Sequence, residues 1–267
     1  MASSKWNLHK FYYRDAYIRN FLPDTALLNQ ESLKQFLDKY DSVYIKPDRR
    51  HGGNGVIRAR KSENGYSFTA IAGRKAENES DIPTVQELYR KIAKRAIDDN
   101  YIIQQAIPLA VINGRPYDIR SMMMRKPGGL WRFYGYFAKV AGTVSIITNV
   151  CRSGGYVITI EEALRKSLGL TQEQIKQKKE SMLDLSLKIC NRFKKYKAST
   201  TQIGIDFALD DKGEIWIIEV NFDLPDHSGN AFAELPDKTN YLRIRRMKRW
   251  LRSIRRKRII ARRRKKK

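Results

Sequence analysis

The sequence predicts an α+β protein made of two small α+β subdomains facing each other. Three observations carry this reading. The apolar period changes from helical to two near residue 41, turn signals then follow at short intervals, and helices enter between groups of strands instead of alternating with them. The resulting order is a meander, a helix, a linking strand, and a second antiparallel sheet with helices.

The elements follow in chain order. Trp6, Leu8, Phe11, Tyr12 and Ile18 set a helical pattern that Pro23 stops. Asn29 or Gln30 caps a second helix, with Leu33, Phe36, Leu37 and Tyr40 on one side. Strands are expected at residues 42–47 and 56–61, separated by the glycine-rich loop DRRHGGNG. Asn64-Gly65 reads as a hairpin turn leading into YSFTAIAG, because a type I′ turn needs positive φ at both central positions. Pro83 suits the first residue of a helix with Val85, Leu88, Ile92 and Ala96 buried.

The apolar strand YIIQQAI comes next, followed by a turn at Asn113-Gly114. A second hairpin pairs residues 118–126 with 130–141, and Met122, Met123 and Met124 are expected as core. Thr159 and Glu162 form a capping box for a helix that Gly169 ends. Thr171 opens a longer helix with Ile175, Met182, Leu185, Ile189 and Phe193 inward. Residues 202–221 read as two strands joined by a tight turn at Lys212-Gly213.

At 267 residues the chain can bury a full core. Cys151 and Cys190 are too few for a disulfide framework, and His9, His51 and His227 are too dispersed for a zinc site. No leader is read at Met1 and no apolar run is long enough for a bilayer, so a cytoplasmic, reducing setting is expected. The net charge is +25, but residues 241–267 hold 16 Lys and Arg and no acid; subtracting those 16 from 25 leaves +9 for residues 1–240. That tail reads as a helix with Ile244, Met247, Leu251 and Ile254 in one stripe, ending in a disordered ARRRKKK. Three readings fit it: docking on the domain, lying on an anionic membrane, or binding nucleic acid or another polyanion. A helical anchor for an acidic partner is the one expected.

Several polar groups stand where they can do chemistry. In the final hairpin Glu219 and Asn221 share a face about 7 Å apart. A two-residue turn places Asp206 opposite Glu219, giving three oxygen ligands suited to Mg²⁺. The same pattern also fits a half-buried hairpin with acids on its wet face. Lys46 at a strand end, before the glycines at 52, 53 and 55, can meet a phosphate that backbone N–H groups also approach; a plain hairpin loop fits as well. Asp118 and Arg120 share a strand face, where the arginine can clamp a phosphate or form a cross-strand ion pair. Asn149, Arg152, Gly154 and Gly155 make a third polar loop, and Lys139 stands in the strand before it.

The ordered set of these motifs, from SKW at Ser4 to EVN at Asn221, resembles the ATP-grasp superfamily. It is most similar to the endospore coat-associated ATP-grasp group and more distantly to ligases that add glutamate to protein tails. The resemblance implies ATP between two subdomains, here residues 1–103 (glycine-rich loop 48–55) and 104–240, with 241–267 as a basic appendage. It implies nucleotide contacts at Lys5, Lys46, Gly52, Gly53, Gly55, Gln104, Gln105, Ile107 and Asp118. Gln105 stands where many relatives have glutamate. It further implies roles near the transferred phosphoryl group for Arg120, Asn149 and Lys139, and Mg²⁺ (or Mn²⁺) on Asp206, Glu219 and Asn221. The implied reaction joins a carboxylate to an amine through an acylphosphate, on a peptide or cell-surface polymer, with spore or envelope association. Asp206→Asn or Glu219→Gln is then expected to remove Mg-ATP binding and leave the fold intact. Family ligases usually carry a further α/β domain before this core, whereas the match here begins almost at Met1. A non-catalytic ATP-binding protein is therefore the alternative, and a nucleic-acid binder acting through the tail is a third.

Overall fold

A computed structural model describes residues 4–50, 54–72, 75–96, 100–142, 154–222 and 227–264. Two compact units emerge. The first comprises Met1–Tyr117, Val140–Tyr156 and Ala208–Ile218; the second comprises Asp118–Lys139, Val157–Phe207 and Glu219–Lys267.

In the first unit the chain opens with α1 (Lys5–Tyr13), whose N-cap Ser4 accepts the Asn7 N–H. A 3₁₀ turn (Ile18–Phe21) follows, then β1 (Thr25–Leu27), α2 (Gln30–Lys39), β2 (Ser42–Pro47), β3 (Ile57–Ser62), β4 (Gly65–Ala72), β5 (Lys75–Ile82), α3 (Val85–Ala93) and β6 (Tyr101–Gln105). The sheet order is β1-β6-β2-β3-β4-β5. Asn29 caps α2 in a full capping box with Ser32. Leu33 and Leu37 of α2 join Leu88 and Ile92 of α3 over Val43, Ile45, Ala59, Phe68 and Ile103 of the sheet, forming one core.

Four local details depart from the sequence expectation. The three-residue β1 stands where a loop was expected, because Ala26 pairs with Ile103 across the sheet. β5 carries no alternating apolar pattern; it is an edge strand whose Glu77 and Glu79 face Arg95 and Lys91. Pro83 precedes the helix, and Thr84 caps it by accepting the Glu87 N–H at 3.2 Å. The first hairpin turns at Glu63-Asn64, with Ser62 paired to Gly65. Gly65 takes φ +123°, a conformation that favours glycine, and a Cβ there would lie 2.3 Å from the Ile82 carbonyl oxygen. That glycine serves a close approach to β5 instead of the turn itself.

His9 lies in α1 with its ring stacked on Trp6 at 5.8 Å and tilted against Tyr13 at 5.6 Å. Burial pushes its pKa down to about 4, against a weaker upward pull from Asp24. The unfolded chain therefore binds more protons than the folded one between about pH 4 and 6.5. Stability should rise with pH across that window, by on the order of 2 kcal/mol. Urea titrations at several pH values should show this slope in the parent and a flatter one in His9→Gln.

The chain continues through β7 (Val111–Ile112), β8 (Arg115–Met124), β9 (Arg132–Val140), β10 (Tyr156–Ile158), α4 (Ile160–Leu168), α5 (Gln172–Phe193), β11 (Gln202–Leu209), β12 (Ile215–Phe222), α6 (His227–Glu234) and α7 (Thr239–Arg264). Asn113 and Gly114 both take positive φ, as the turn joining β7 to β8 requires. The second sheet has the order β10-β9-β8-β11-β12, with β7 paired to β8 off that path. Thr171 and Gln174 close a capping box on α5, whose Ile175, Met182, Leu185, Ile189 and Phe193 are buried.

Alternation along β8 decides what each face of the second unit carries. Ser121 faces α5, with its Oγ 3.0 Å from Ser186 Oγ. Asp118, Arg120, Met122 and Met124 share the other face. Met122 and Met124 join Phe137, Phe232, Leu235, Ile244 and Met247 in a core that docks α6 and α7. Phe137 and Phe232 meet edge to face at 4.8 Å. Gly135 admits this docking, since a Cβ there would lie 2.6 Å from Asn240 Nδ2 and 3.0 Å from Phe232 Cε1. The apolar stripe of the basic tail is thus spent inside its own unit. The helix also runs on to Arg264, further than expected.

Candidate functional site

The charged half of that β8 face is the candidate site. In the β8–β11 register Asp206 stands directly opposite Arg120. The guanidinium grips both carboxylate oxygens, Nη2 to Oδ2 at 2.7 Å and Nε to Oδ1. Lys139, from β9, places Nζ 2.8 Å from Asp118 Oδ1 and 3.4 Å from Asp206 Oδ1. Asn221 Nδ2 donates to Asp206 Oδ2 at 3.2 Å and to Glu219 Oε2 at 3.3 Å. The side chains of Arg120, Asp206, Lys139 and Asp118 are only 12%, 7%, 17% and 7% exposed.

Electrostatics ties the group together. Burial pushes the Asp206 carboxyl up, but the Arg120 and Lys139 charges outweigh it and hold the group below the usual aspartate range. Burial likewise opposes the charge on Lys139, while Asp118 and Asp206 raise its pKa. Three carboxylates (Asp118, Asp206, Glu219) face two cations (Arg120, Lys139), so the cluster has one negative charge in surplus.

Asp206 and Glu219 with the Asn221 amide form a hard oxygen set. The amide N–H group bridges the two carboxylates, which is where a cation attracted by both would sit. Rotating the amide presents its oxygen instead. These donors fit Mg²⁺. Among the described residues no group of three His, Cys, Asp or Glu forms a metal cage, so an octahedral ion here would draw further oxygens from water or phosphate.

The hairpin that carries these acids closes differently from expectation. Asp210 N–H donates to the Glu214 carbonyl at 3.1 Å and Gly213 N–H to the Asp210 carbonyl at 2.9 Å. Gly213 takes φ +80°. The connection is therefore a three-residue loop with a left-handed glycine, and the Asp210 carboxylate braces it by accepting from Lys212 and Glu214 N–H. The two-residue turn used to set Asp206 opposite Glu219 does not form; the Asn221 amide is what links them.

A second polar group lies in the first unit. Lys46 Nζ donates to Gln104 Oε1 at 2.6 Å, and Gln104 Nε2 donates to Thr25 Oγ1 at 3.0 Å. Lys46 also stands over the Tyr44 ring. Lys5 Nζ donates to the Pro47 carbonyl at 3.0 Å and to that of Arg50. Gln105 Oε1 accepts the Asp24 N–H at 3.3 Å, and Ile107 is buried. Gly55 takes φ +74° and donates its N–H to the Ile71 carbonyl. Gly52, Gly53 and Asn149 lie outside the described residues.

Sequence reasoning passed over Asp48. It is buried, accepts from Ser4 Oγ at 3.0 Å and Trp6 N–H at 2.8 Å, and so pins the segment carrying Lys5 beside the end of β2. Its only signal was an acid directly after Lys46-Pro47.

The family model for YheC/D like ATP-grasp matches residues 2–248. The chain belongs to the YheC/D-like ATP-grasp family. ATP-grasp members are ATP-dependent carboxylate–amine ligases and generally use ATP with Mg²⁺. The chain is similar to the endospore coat-associated protein YheD of Bacillus subtilis (strain 168), at 26% identity over 219 residues, covering 82% of this chain and 47% of that protein. It is also similar to the endospore coat-associated protein YheC of the same organism, at 21% identity over 222 residues, covering 81% of this chain and 58% of that one. The chain thus spans about half the length of the curated relatives it matches. Among solved structures, the C-terminal domain of K. lactis Pby1, described as an ATP-grasp enzyme interacting with the mRNA decapping enzyme Dcp2, superposes with a TM-score of 0.51 at 14% identity. That match covers 89% of this chain and 67% of that one, and it shows the ATP-grasp fold. No helix among the described residues of this YheC/D-like chain is long and apolar enough to cross a membrane.

Proposed function

We propose that this chain binds Mg-ATP and joins a carboxylate to an amine through an acylphosphate. The observation that carries the reading is the buried cluster of Asp118, Arg120, Lys139 and Asp206 beside Glu219 and Asn221. Burying four ionised side chains is a poor route to stability, because apolar residues of similar volume usually do as well or better. A chain of this family that keeps such a cluster points to work on a charged ligand.

In this reading Asp206, Glu219 and Asn221 hold the metal, which when bound neutralises phosphate charge and orients the γ-phosphoryl group. Arg120 exchanges its grip on Asp206 for the phosphoryl oxygens, which suit its planar fork equally well. Lys139 adds a second positive charge there, and Asp118 keeps it in place. Lys5, Lys46, Gln104, Gln105 and Ile107, with Gly52, Gly53 and Gly55, serve the nucleotide, and Asn149 serves the transferred group. A substrate carboxylate oxygen attacks the γ-phosphorus as its bond to the bridging oxygen breaks and ADP leaves. The amine then attacks the acyl carbon, phosphate departs with the C–O electron pair, and the amine loses a proton. No protein nucleophile takes part. The substrates are a peptide or cell-surface polymer, and the setting is the spore or envelope.

Glu219→Gln is the clean test, because among the described residues the salt bridges of Arg120 and Lys139 go to Asp206 and Asp118 and not to Glu219. Calorimetric titration with ATP should show affinity falling by roughly 100-fold in the variant when Mg²⁺ is present, and little difference in EDTA. Equal Mg-ATP affinity in parent and variant would sink the metal assignment. ATP binding without turnover on any carboxylate–amine pair would leave the nucleotide site standing and remove the ligase.

A further inference from the structure

We propose that α7 is a nucleic-acid docking element that grips the phosphate backbone without reading sequence. The inference does not depend on the ligase reading. One face of the helix is already used. Ile244 and Met247 are buried in the second unit's core, with Trp250 and Leu251 packed against it. Asn240 closes on Gly135, and Arg243 donates to the Phe133 carbonyl at 3.4 Å. The helix is therefore part of a folded unit and not a loose basic tail.

Docking leaves the opposite face outward. Arg245, Arg249, Arg252 and Arg256 recur at spacings of four, three and four, so they form one ridge about 16 Å long, and all four are exposed. Successive positions along it are about 4.5–6 Å apart in rise. Arg246 and Arg255 flank the ridge. Across residues 241–267 there are 16 basic residues, 11 of them Arg, and no acid. Such a row has no counter-charge within its own helix.

The choice of partner follows from what the helix lacks. A bilayer is entered by an apolar face, and over residues 239–256 that face is committed to the core; within that stretch Leu242 is the one exposed large apolar residue. The ridge holds no Asn or Gln of the kind that pairs with base edges. A straight row of guanidiniums matches a polymer whose charges are regularly spaced whatever its sequence, and arginine's fork suits phosphate. Together with a calculated pI near 10.1, this is the electrostatic footprint of backbone binding.

The test measures fluorescence anisotropy of a labelled DNA duplex of about 25 base pairs with the full chain, from about 50 to 200 mM salt. The parent should bind with a steep salt slope. The variant R245Q/R249Q/R252Q/R256Q alters only the exposed ridge, so it should keep its circular dichroism and melting profile. It should lose at least about 100-fold in affinity at the lowest salt and about 3–4 in the slope of log K against log salt. A control with equal charge loss elsewhere, R14Q/R19Q/K176Q/K195Q, should retain most of the affinity. No duplex binding by the parent, an unchanged slope in the ridge variant, or an equal loss in the control overturns the proposal. Tighter binding to phosphatidylserine vesicles or to polyglutamate than to the duplex at the same salt overturns it in favour of a membrane or an acidic polypeptide.

Discussion

Asp206→Ala should cost about 3–5 kcal/mol of folding stability at neutral pH, because it strands the buried charges of Arg120 and Lys139. The loss should be visible in urea unfolding without any ligand. The pH dependence has a definite sign. The carboxyl of Asp206 titrates below its unfolded value when folded, so its contribution is fully present above that unfolded value, near pH 4, and fades as pH falls through the folded one. The gap between parent and variant should therefore narrow in acid. A gap independent of pH would show that lost packing, not charge, sets the cost. Adding Arg120→Met to the variant should recover part of the stability, since it removes one of the stranded charges. Substitutions at Asp206 and at Glu219 are therefore expected to differ in their cost to the fold, since Asp206 bridges Arg120 and Lys139. The difference lies in which ions each carboxylate pairs with.

Gly65→Ala should cost the first unit about 2–5 kcal/mol. Its φ of +123° is strained for any L side chain, and the new Cβ would meet the Ile82 carbonyl oxygen at 2.3 Å, where backbone must move. Gly114→Ala separates the two causes. It also has positive φ, at +72°, but nothing lies within 4 Å of its Cβ, so it should cost only about 1 kcal/mol. Urea midpoints for the two variants give the comparison. Equal losses would remove the steric account of the β4–β5 approach.

Much of the architecture was legible because local chemistry and tertiary packing agree. Asn29 with Ser32, Thr171 with Gln174, the left-handed Gly169 and the Asn113-Gly114 turn are short-range signals, and each forms where its residues stand. The long apolar stripe of α5 needed no partner to be recognised. The fold was legible in the order of the motifs, although each motif alone also fitted an ordinary hairpin or loop.

What the residues could not show is which side chains meet across strands. β1 and β5 are held by neighbouring strands and not by their own patterns: Ala26 needs Ile103, and the acids of β5 need Lys91 and Arg95. The hairpin acids depended on a register that a single residue of loop length changes. A three-residue loop braced by Asp210 replaced the expected turn. The basic tail is the same case at larger scale. Its composition established that it is cationic and amphipathic, but the apolar stripe had three possible partners. Only packing on Met122, Met124 and Phe137 decided that the stripe belongs to the protein's own core and the arginine ridge to solvent. The sequence by itself determined the elements, the charge and the set of groups able to meet a nucleotide. Tertiary structure decided their pairing, because ion pairs and close approaches join residues as far apart as Arg120 and Asp206, and no local pattern encodes that distance.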